Sequence, residues 1–273
     1  MKGGRCEKLF CLHTELQMSR TYAAIVALIA LCLVTGNNFA AINPDEIAGL
    51  WLFDDGAGDV LTDSSGNGND GALINGPTWI DGKFGKALQF DSSKQQRVEI
   101  PNSDSLNPTD AITIMAWGYL EDTGGNRRFL QKSEGGGDNQ YRLLLEWGNF
   151  RFDAGPGVSP QTIDVPIFSV QEWHHVAGVY DGAEIALYID GEKAGSQPAS
   201  GQMIPSSGPI FIGTKQPAAP EGDYWNGAID EVAIITRGVT QEEIQEVMKG
   251  FANLTAVNLA GKVAHTWGLI KSK

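Results

Sequence analysis

Apolar and polar positions alternate along this chain in short runs separated by Gly, Asn, Asp and Pro. The alternation starts at Ile47–Phe53 (IAGLWLF) and is turned by Asp54–Gly58 (DDGAG). It resumes at Gly85–Phe90 (GKALQF) and Arg97–Ile100 (RVEI), with a turn at Asp91–Gln95 between them. Ile112–Leu120 (ITIMAWGYL) is a longer apolar run, and Phe129–Lys132, Tyr141–Glu146 and Asn149–Asp153 continue the meander. Glu172–Gly191 (EWHHVAGVYDGAEIALYIDG) holds two β-branched and aromatic runs, reversed at Asp181-Gly182 and again at Asp190-Gly191. Ile210–Gly213 and Ala228–Ile235 close the series. Side chains on a strand point alternately to its two faces, so this period of two with regular turn signals predicts antiparallel strands. The pattern argues against a βαβ protein and for an all-β fold of two antiparallel sheets packed as a sandwich. No solenoid or propeller repeat is visible.

One segment departs from the pattern. Thr240–Lys249 (TQEEIQEVMK) pairs Thr240 with Glu243 as a capping box, carries an apolar stripe of Ile244, Val247 and Met248, and is stopped by Gly250. It predicts one short C-terminal helix after the last strand. Residues 251–273 are mildly apolar with a basic end, and the pattern assigns them no element.

The N-terminal region follows different rules. Arg20 precedes Tyr22–Val34 (YAAIVALIALCLV), a run shorter than the ~20 apolar residues that span a bilayer. It has the length of a signal-peptide h-region, and small residues near Ala40 and Ala41 offer a cleavage site. An uncleaved anchor is the alternative. On the first reading residues 1–41 are an upstream extension plus signal peptide, 42–250 form one domain and 251–273 a tail. The processed protein then has no stable membrane span. Cys6, Cys11 and Cys32 all fall in the leader. The domain must therefore hold together by burial without disulfides, and about 230 residues suffice for a single large core.

Composition narrows the partners. A formal net charge of −13 without a basic stripe excludes nucleic acid, because phosphate binding needs clustered Lys and Arg. The acidic balance fits a secreted protein in an extracellular, periplasmic or cell-surface setting. It also leaves room for a hard cation.

Several pieces resemble the laminin-G-like jelly roll, the concanavalin A-like sandwich, of secreted bacterial proteins. Trp51–Gly56 (WLFDDG) is similar to its opening W-x-F-D-E-G strand, and Asp63–Gly71 (DSSGNGNDG) to its Gly/Asn-rich loop. Gly85–Asp91 resembles G-x-A-L-x-F-D-G, with Ser92 in place of the last Gly. Trp173–Gly191 resembles W-H-H-V-A-x-x-Y-D-G followed by L-Y-V-D-G. Gly227–Ile234 (GAIDEVAI) and Arg237–Ile244 (RGVTQEEI) resemble the closing motifs, with Ala233 where Arg is common. The resemblance covers about residues 48–249 and implies a jelly-roll sandwich that hosts binding modules, glycosidases and structural domains alike.

Two sets of residues carry candidate chemistry. Asp63, Ser65, Asn67 and Asn69 present alternate oxygens on a flexible loop, which suits a calcium cradle, with Asp54 and Asp230 as strand-end carboxylates that can join it. The same residue types also build metal-free turns through their own side-chain hydrogen bonds. Tyr224 and Trp225 sit in a polar segment (EGDYWN) and are the candidate sugar platform, or else cover the sandwich edge. Trp51, Trp117, Trp147 and Trp173 are expected in the core.

Catalytic patterns are missing from the sequence. Glycosidases need two carboxyls flanking one bond, and Asp230-Glu231, adjacent on a strand, are expected to face opposite ways. His174 and His175 likewise diverge, with no nucleophile or metal partner in sight. The expected function is a secreted, non-catalytic binding or adhesion module for carbohydrate or an extracellular glycoprotein. The alternatives are a structural domain of a cell-surface assembly that binds no sugar and, behind it, a glycoside hydrolase.

Overall fold

The computed structural model divides the chain into two units, residues 1–40 and 41–273. It describes residues 42–135, 138–166, 169–215 and 223–251, all in the second unit. The expected signal peptide and all of the tail beyond Phe251 lie outside the described residues. No helix among the described residues is long and apolar enough to cross a membrane.

The alternating runs form two large antiparallel sheets. The first is ordered Glu192–Pro198, Glu184–Ile189, Trp173–Tyr180, Ile112–Leu120, Gly227–Ile235, Lys86–Phe90 and Thr78–Asp81. Strand Gly227–Ile235 lends its far edge to two partners: Gly227–Ile229 pair with Lys86–Phe90, and Val232–Ile235 pair with Ile47–Trp51. The second sheet runs Thr162–Pro166, Asn149–Asp153, Asp138–Glu146, Arg127–Gly135, Ile210–Ile212, Arg97–Ile100, Gly71–Ile74 and Val60–Leu61.

Alternation places one face of each sheet in a shared core. Ile114, Ala116, Val176, Tyr180, Ile229 and Ile234 from the first sheet join Leu143, Leu145, Phe150 and Phe152 from the second. The fit is close enough to need glycine. A Cβ on Gly178 would lie 2.3 Å from the Phe152 ring, and one on Gly118 would lie 2.2 Å from Phe129. Filling a core to crystal-like density leaves no room for an extra methyl at such points.

A second apolar cluster covers part of the outward face of the first sheet. Met115, Ala177, Val179, Ala233 and Ile235 pack against Ile244, Val247 and Phe251. The helix spans Gln241–Val247, and Thr240 and Glu243 cap it reciprocally as expected. Arg237 locks it in place, donating to both Glu243 oxygens and to Glu46. Those hydrogen bonds, Glu243 foremost, raise the guanidinium pKa against the opposing effect of burial.

Two features correct the sequence expectation. A bulge between Asp230 and Ala233 puts Glu231 at φ 44. The extra residue breaks strict alternation. Asp230 and Glu231, expected on opposite faces, are both buried on the outward side: Asp230 accepts from Phe84 N–H at 3.0 Å, and Glu231 from the N–H of Phe251 at 3.2 Å. The other correction concerns Trp147, which is 78% exposed rather than in the core. It occupies a two-residue turn with Gly148, at φ 49 and 76, that carries its ring past the end of the sheet.

Candidate functional site

The outward face of the second sheet is polar where a solvated face would be expected, yet its groups are recessed. Phe150 and Phe152 point into the core, so Arg151 and Asp153 point out; Leu143 and Leu145 point in, so Arg142, Leu144 and Glu146 point out. Register aligns these groups across strands. Asp153 lies opposite Arg142, which lies opposite Gln131, and Arg151 lies opposite Asp164.

The charges form one connected strip. Arg151 grips Asp164 with two bonds of 2.6 and 2.9 Å and also donates to Glu146. Arg128 pairs with Asp223 at 2.6 Å and approaches Glu146 at 3.5 Å. Lys215 approaches Asp223 at 3.3 Å, and Arg142 donates to Asp153. Planar guanidinium groups suit such forked pairing and hold their partners in fixed directions. Burial pulls the Arg128 pKa below its ordinary value, while Asp223 and Glu146 hold it up. The hydrogen bonds that Arg151 donates to Asp164 do the reverse for it, raising its pKa against the cost of burial.

Three polar atoms in this strip make no hydrogen bond, and of these Asp223 Oδ2 still faces the Arg128 guanidinium at 2.6 Å. Arg128 is 3% exposed and Asp153 2%, yet Arg128 Nη1 and Asp153 Oδ1 make no hydrogen bond. A buried polar group without a partner costs roughly 1–3 kcal/mol, so such atoms call for an explanation. Arg128 Nη1 and Asp153 Oδ1 are one free donor and one free acceptor on the same face.

Trp147 stands at the end of the strip. Its backbone N–H donates to Asn126 Oδ1 at 3.2 Å, and Arg151 sits 5.7 Å from its ring centre. The turn and the guanidinium fix an exposed aromatic face beside recessed hydrogen-bonding groups. Apolar stacking plus a few placed polar contacts is what a small polar ligand requires.

The candidate residues from the sequence are placed otherwise. Trp225 is fully buried, its ring 4.1 Å from Phe129 and its Nε1 donating to the Ala228 carbonyl at 3.1 Å. Tyr224 is buried as well. Gly118 leaves the slot that the Trp225 ring fills, 3.0 Å from where a Cβ would stand. Both residues close the sandwich and offer no platform.

The proposed calcium set divides in two. Asp63, Asn67 and Asn69 do come together, but Asp63 Oδ1 accepts from the N–H groups of Leu50 and Ser65, and Oδ2 from Ser65 Oγ and the N–H of Asn69. Asn67 and Asn69 turn their amides onto the Ile47 and Ala48 carbonyls. Asp54 and Asp230 lie elsewhere, beneath the Gly82–Gly85 turn, whose glycines allow the close approach. Among the described residues no group of three or more His, Cys, Asp or Glu is spaced to hold a metal. Calcium takes six to eight oxygens with free lone pairs, so these residues fit a hydrogen-bonded turn and do not fit a calcium cradle.

The outward face of the first sheet buries a different polar row. His175, Trp117 and Asp230 are direct cross-strand neighbours. Both His175 ring nitrogens, Trp117 Nε1 and Asp230 Oδ1 lack partners. Burial lowers His175 to about 3 and raises Asp230 to about 7, with the Asp54 charge adding to the latter. Glu231 rises to about 8 through burial, assisted by Asp230 and Asp54. His175 and Asp230 are fully buried and Trp117 nearly so, with no exposed aromatic face beside them comparable to Trp147. Two adjacent acids inside an otherwise apolar strand were the signal for it.

His174 has the neighbours that the sequence did not reveal. Its Nε2 lies 2.8 Å from Ser169 Oγ and its Nδ1 2.7 Å from Asp190 Oδ2. The spacing is that of a nucleophile, base and orienting acid. However, Glu172 Oε1 sits 3.7 Å from the same Nε2, placing negative charge where an acyl-transfer oxyanion would need donors. Asp190 Oδ1 also accepts the His175 N–H. The trio therefore clamps the segment around Ser169 to the Asp190-Gly191 turn.

Comparison with known proteins places the fold. Residues 91–245 match the laminin G type 3 family model, described as the Concanavalin A-like lectin/glucanases superfamily. None of the curated proteins matches the chain. Among solved structures, domain 4 of an extracellular arabinanase from Geobacillus stearothermophilus, in complex with arabinotriose, is 20% identical at a TM-score of 0.62. The match covers 74% of this chain and 98% of that one. The binding domain of Paraclostridial Mosquitocidal Protein 1 is 15% identical at 0.59, covering 77% of this chain and 53% of that one. The ligand-binding domain of botulinum neurotoxin serotype D, in complex with N-acetylneuraminic acid, is 14% identical at 0.55, covering 76% and 52%. At these identities the likeness shows the fold, and it spans about half of each toxin domain.

Proposed function

Because the chain belongs to the Concanavalin A-like lectin/glucanases superfamily, we propose that it is an exported, non-catalytic module that binds carbohydrate, free or on an extracellular glycoprotein. The site is the outward face of the second sheet. The observation that carries this reading is the exposed Trp147 beside a recessed strip with an unpartnered donor on Arg128 and an unpartnered acceptor on Asp153. Sugars offer an apolar ring face for the indole and hydroxyls that both donate and accept. Two structural neighbours, the arabinanase domain and the serotype D toxin domain, were determined with carbohydrate bound. Export rests on the leader sequence Tyr22–Val34.

The non-catalytic reading rests on how the carboxylates are used. In the strip, Glu146, Asp153, Asp164 and Asp223 each pair with an arginine. That arrangement orients hydrogen bonds and leaves no carboxylic acid placed to protonate a leaving group. The two acids raised towards neutrality, Asp230 and Glu231, are enclosed on the other sheet. A glycan array probed with the domain and with Trp147→Ala tests the proposal. Clustered hits that weaken in the variant support it, and silence from both favours the alternative of a purely structural domain.

A further inference from the structure

The end of the sandwich that carries Trp147 also holds a cleft of about 490 Å3, within the ~300–1,000 Å3 of small-molecule sites. Its lining brings Thr78 and Gln89, cross-strand neighbours near the edge of the first sheet, together with Glu121 and Asn226 at strand ends. Part of the lining is fixed. Buried Gln96 accepts the Asp91 N–H at 2.7 Å and donates to the Asn75 and Gly76 carbonyls, while Asp91 pairs with Lys94 at 3.0 Å. The rest is available. Thr78 and Glu121 are exposed and Gln89 is half-buried, so the cleft opens to solvent. Among the described residues these three side chains make no hydrogen bond. A hydroxyl, an amide and a carboxylate converging on one cleft offer donors and acceptors together, which is what the hydroxyls of a sugar ring need.

One loop joins this cleft to the aromatic platform. Residues 121–126 carry the chain from Ile112–Leu120 in the first sheet to Arg127–Gly135 in the second. Glu121 lies in the cleft, and Asn126 Oδ1 accepts the Trp147 N–H at 3.2 Å. Five residue steps separate them, so their Cα atoms are at most about 18 Å apart. Asp122 pins the loop at both sides, accepting from Asn226 Nδ2 at 2.7 Å and from Arg127 Nη2 at 3.1 Å. Thr123, Gly124 and Gly125 in its middle are exposed, and the two glycines put no side chain between the cleft and the indole. We propose that a glycan seated on Trp147 crosses this loop and places a further ring in the cleft. This rests on the carbohydrate-binding reading above and adds the ligand's length class: an oligosaccharide of several units. Gln89 and Glu121 are then specificity-determining residues, because they read the hydroxyls of a ring that Trp147 does not touch.

The test is an array of unbranched arabinose, xylose, glucose, mannose and galactose oligomers, graded from disaccharides to octasaccharides. It is probed with the wild-type protein, with Trp147→Ala and with the double variant Gln89→Ala/Glu121→Ala. Neither Gln89 nor Glu121 makes a side-chain hydrogen bond within the described residues, so the double variant should keep the wild-type melting temperature. The expected result is that Trp147→Ala loses binding at every length. The double variant should keep the short ligands and bind the long ones about tenfold more weakly, the effect of losing two side-chain contacts. A double variant that binds every length as wild type does, or that weakens short and long ligands alike, overturns the cleft proposal and leaves the Trp147 reading intact. Silence from the wild-type protein overturns the carbohydrate reading itself and the cleft proposal with it.

Discussion

Replacing Asp230 and Glu231 by Asn and Gln should make this protein more stable above neutral pH. Both acids are almost completely buried and are raised by that burial, Asp230 from 3.8 to about 7 and Glu231 from 4.5 to about 8. The folded protein thus keeps protons that the unfolded chain has lost. For a carboxylate raised in this way, stability is greatest below the unfolded value and is lost as pH climbs towards the folded one. The window here runs from about pH 4 to about pH 8. Each pH unit costs about 1.4 kcal/mol per group, so Glu231 alone removes roughly 5 kcal/mol across its range. The two acids feel each other and the charge of exposed Asp54, and nearby groups include neutral His175 and Lys83, whose ammonium lies 4.2 Å from the Trp117 ring centre. About 5 kcal/mol is therefore a ceiling for the pair rather than for each. Asn and Gln keep a carbonyl to accept from Phe84 and Phe251. The assay is denaturant unfolding of wild type and double variant from pH 5 to 8.5. The stabilities should diverge steadily with pH, the variant gaining about 2–4 kcal/mol by pH 8. Parallel curves would refute the buried-acid argument.

Other outcomes follow from the same structure. Trp225→Ala should cost about 3–5 kcal/mol through the cavity it leaves, whereas exposed Trp147→Ala should change stability by less than about 0.5 kcal/mol, both read by urea denaturation. Gly182 sits at φ 93, so Gly182→Val should destabilise by roughly 1–3 kcal/mol, and an unchanged melting temperature would contradict that turn. Because Asp63 already accepts four hydrogen bonds, chelator and added calcium should give the same melting curve. A calcium-dependent rise would show a cation that this loop geometry does not hold. A fluorophosphonate probe should leave Ser169 unlabelled, since Glu172 opposes an oxyanion there.

The sequence made the central strands legible and the edges illegible, for a physical reason. Ile112–Leu120, Trp173–Tyr180 and Gly227–Ile235 are enclosed on both sides, so their apolar content stands out. Four strands at the sheet edges, Glu192–Pro198, Thr78–Asp81, Thr162–Pro166 and Val60–Leu61, are short or polar and fall in none of the predicted runs, whereas apolar Ile47–Trp51, paired on one side only, was legible. Edge strands carry charge and proline because an apolar edge would invite pairing with another chain. The helix was legible to its capping box, since Thr240 and Glu243 are local signals.

The candidate site was harder to see. Trp147 looked like Trp51, which does lie in the core, because its environment depends on a two-residue turn rather than on its neighbours' hydrophobicity; Trp117 and part-buried Trp173, also expected in the core, lie on the outward face of the first sheet. Trp225 allowed both a platform and an edge-covering reading because its segment is polar, and the slot that buries it is made by Gly118 and Phe129, about a hundred residues away in sequence. Arg128, Arg151 and Asp153 carried no motif, and only strand register brings them together. The bulge at Glu231 follows from no local signal that the alternation could show.

The account's central claim is that Trp147 and the strip beside it receive a glycan. Its most direct test is the indole N–H resonance of Trp147 in nitrogen-15-labelled protein, assigned by its loss in Trp147→Phe. On addition of a neutral oligosaccharide that binds, this resonance should shift progressively to saturation while those of buried Trp51 and Trp225 stay in place. A bound glycan that leaves the Trp147 signal unmoved, or that shifts only signals from the first sheet, would contradict the account.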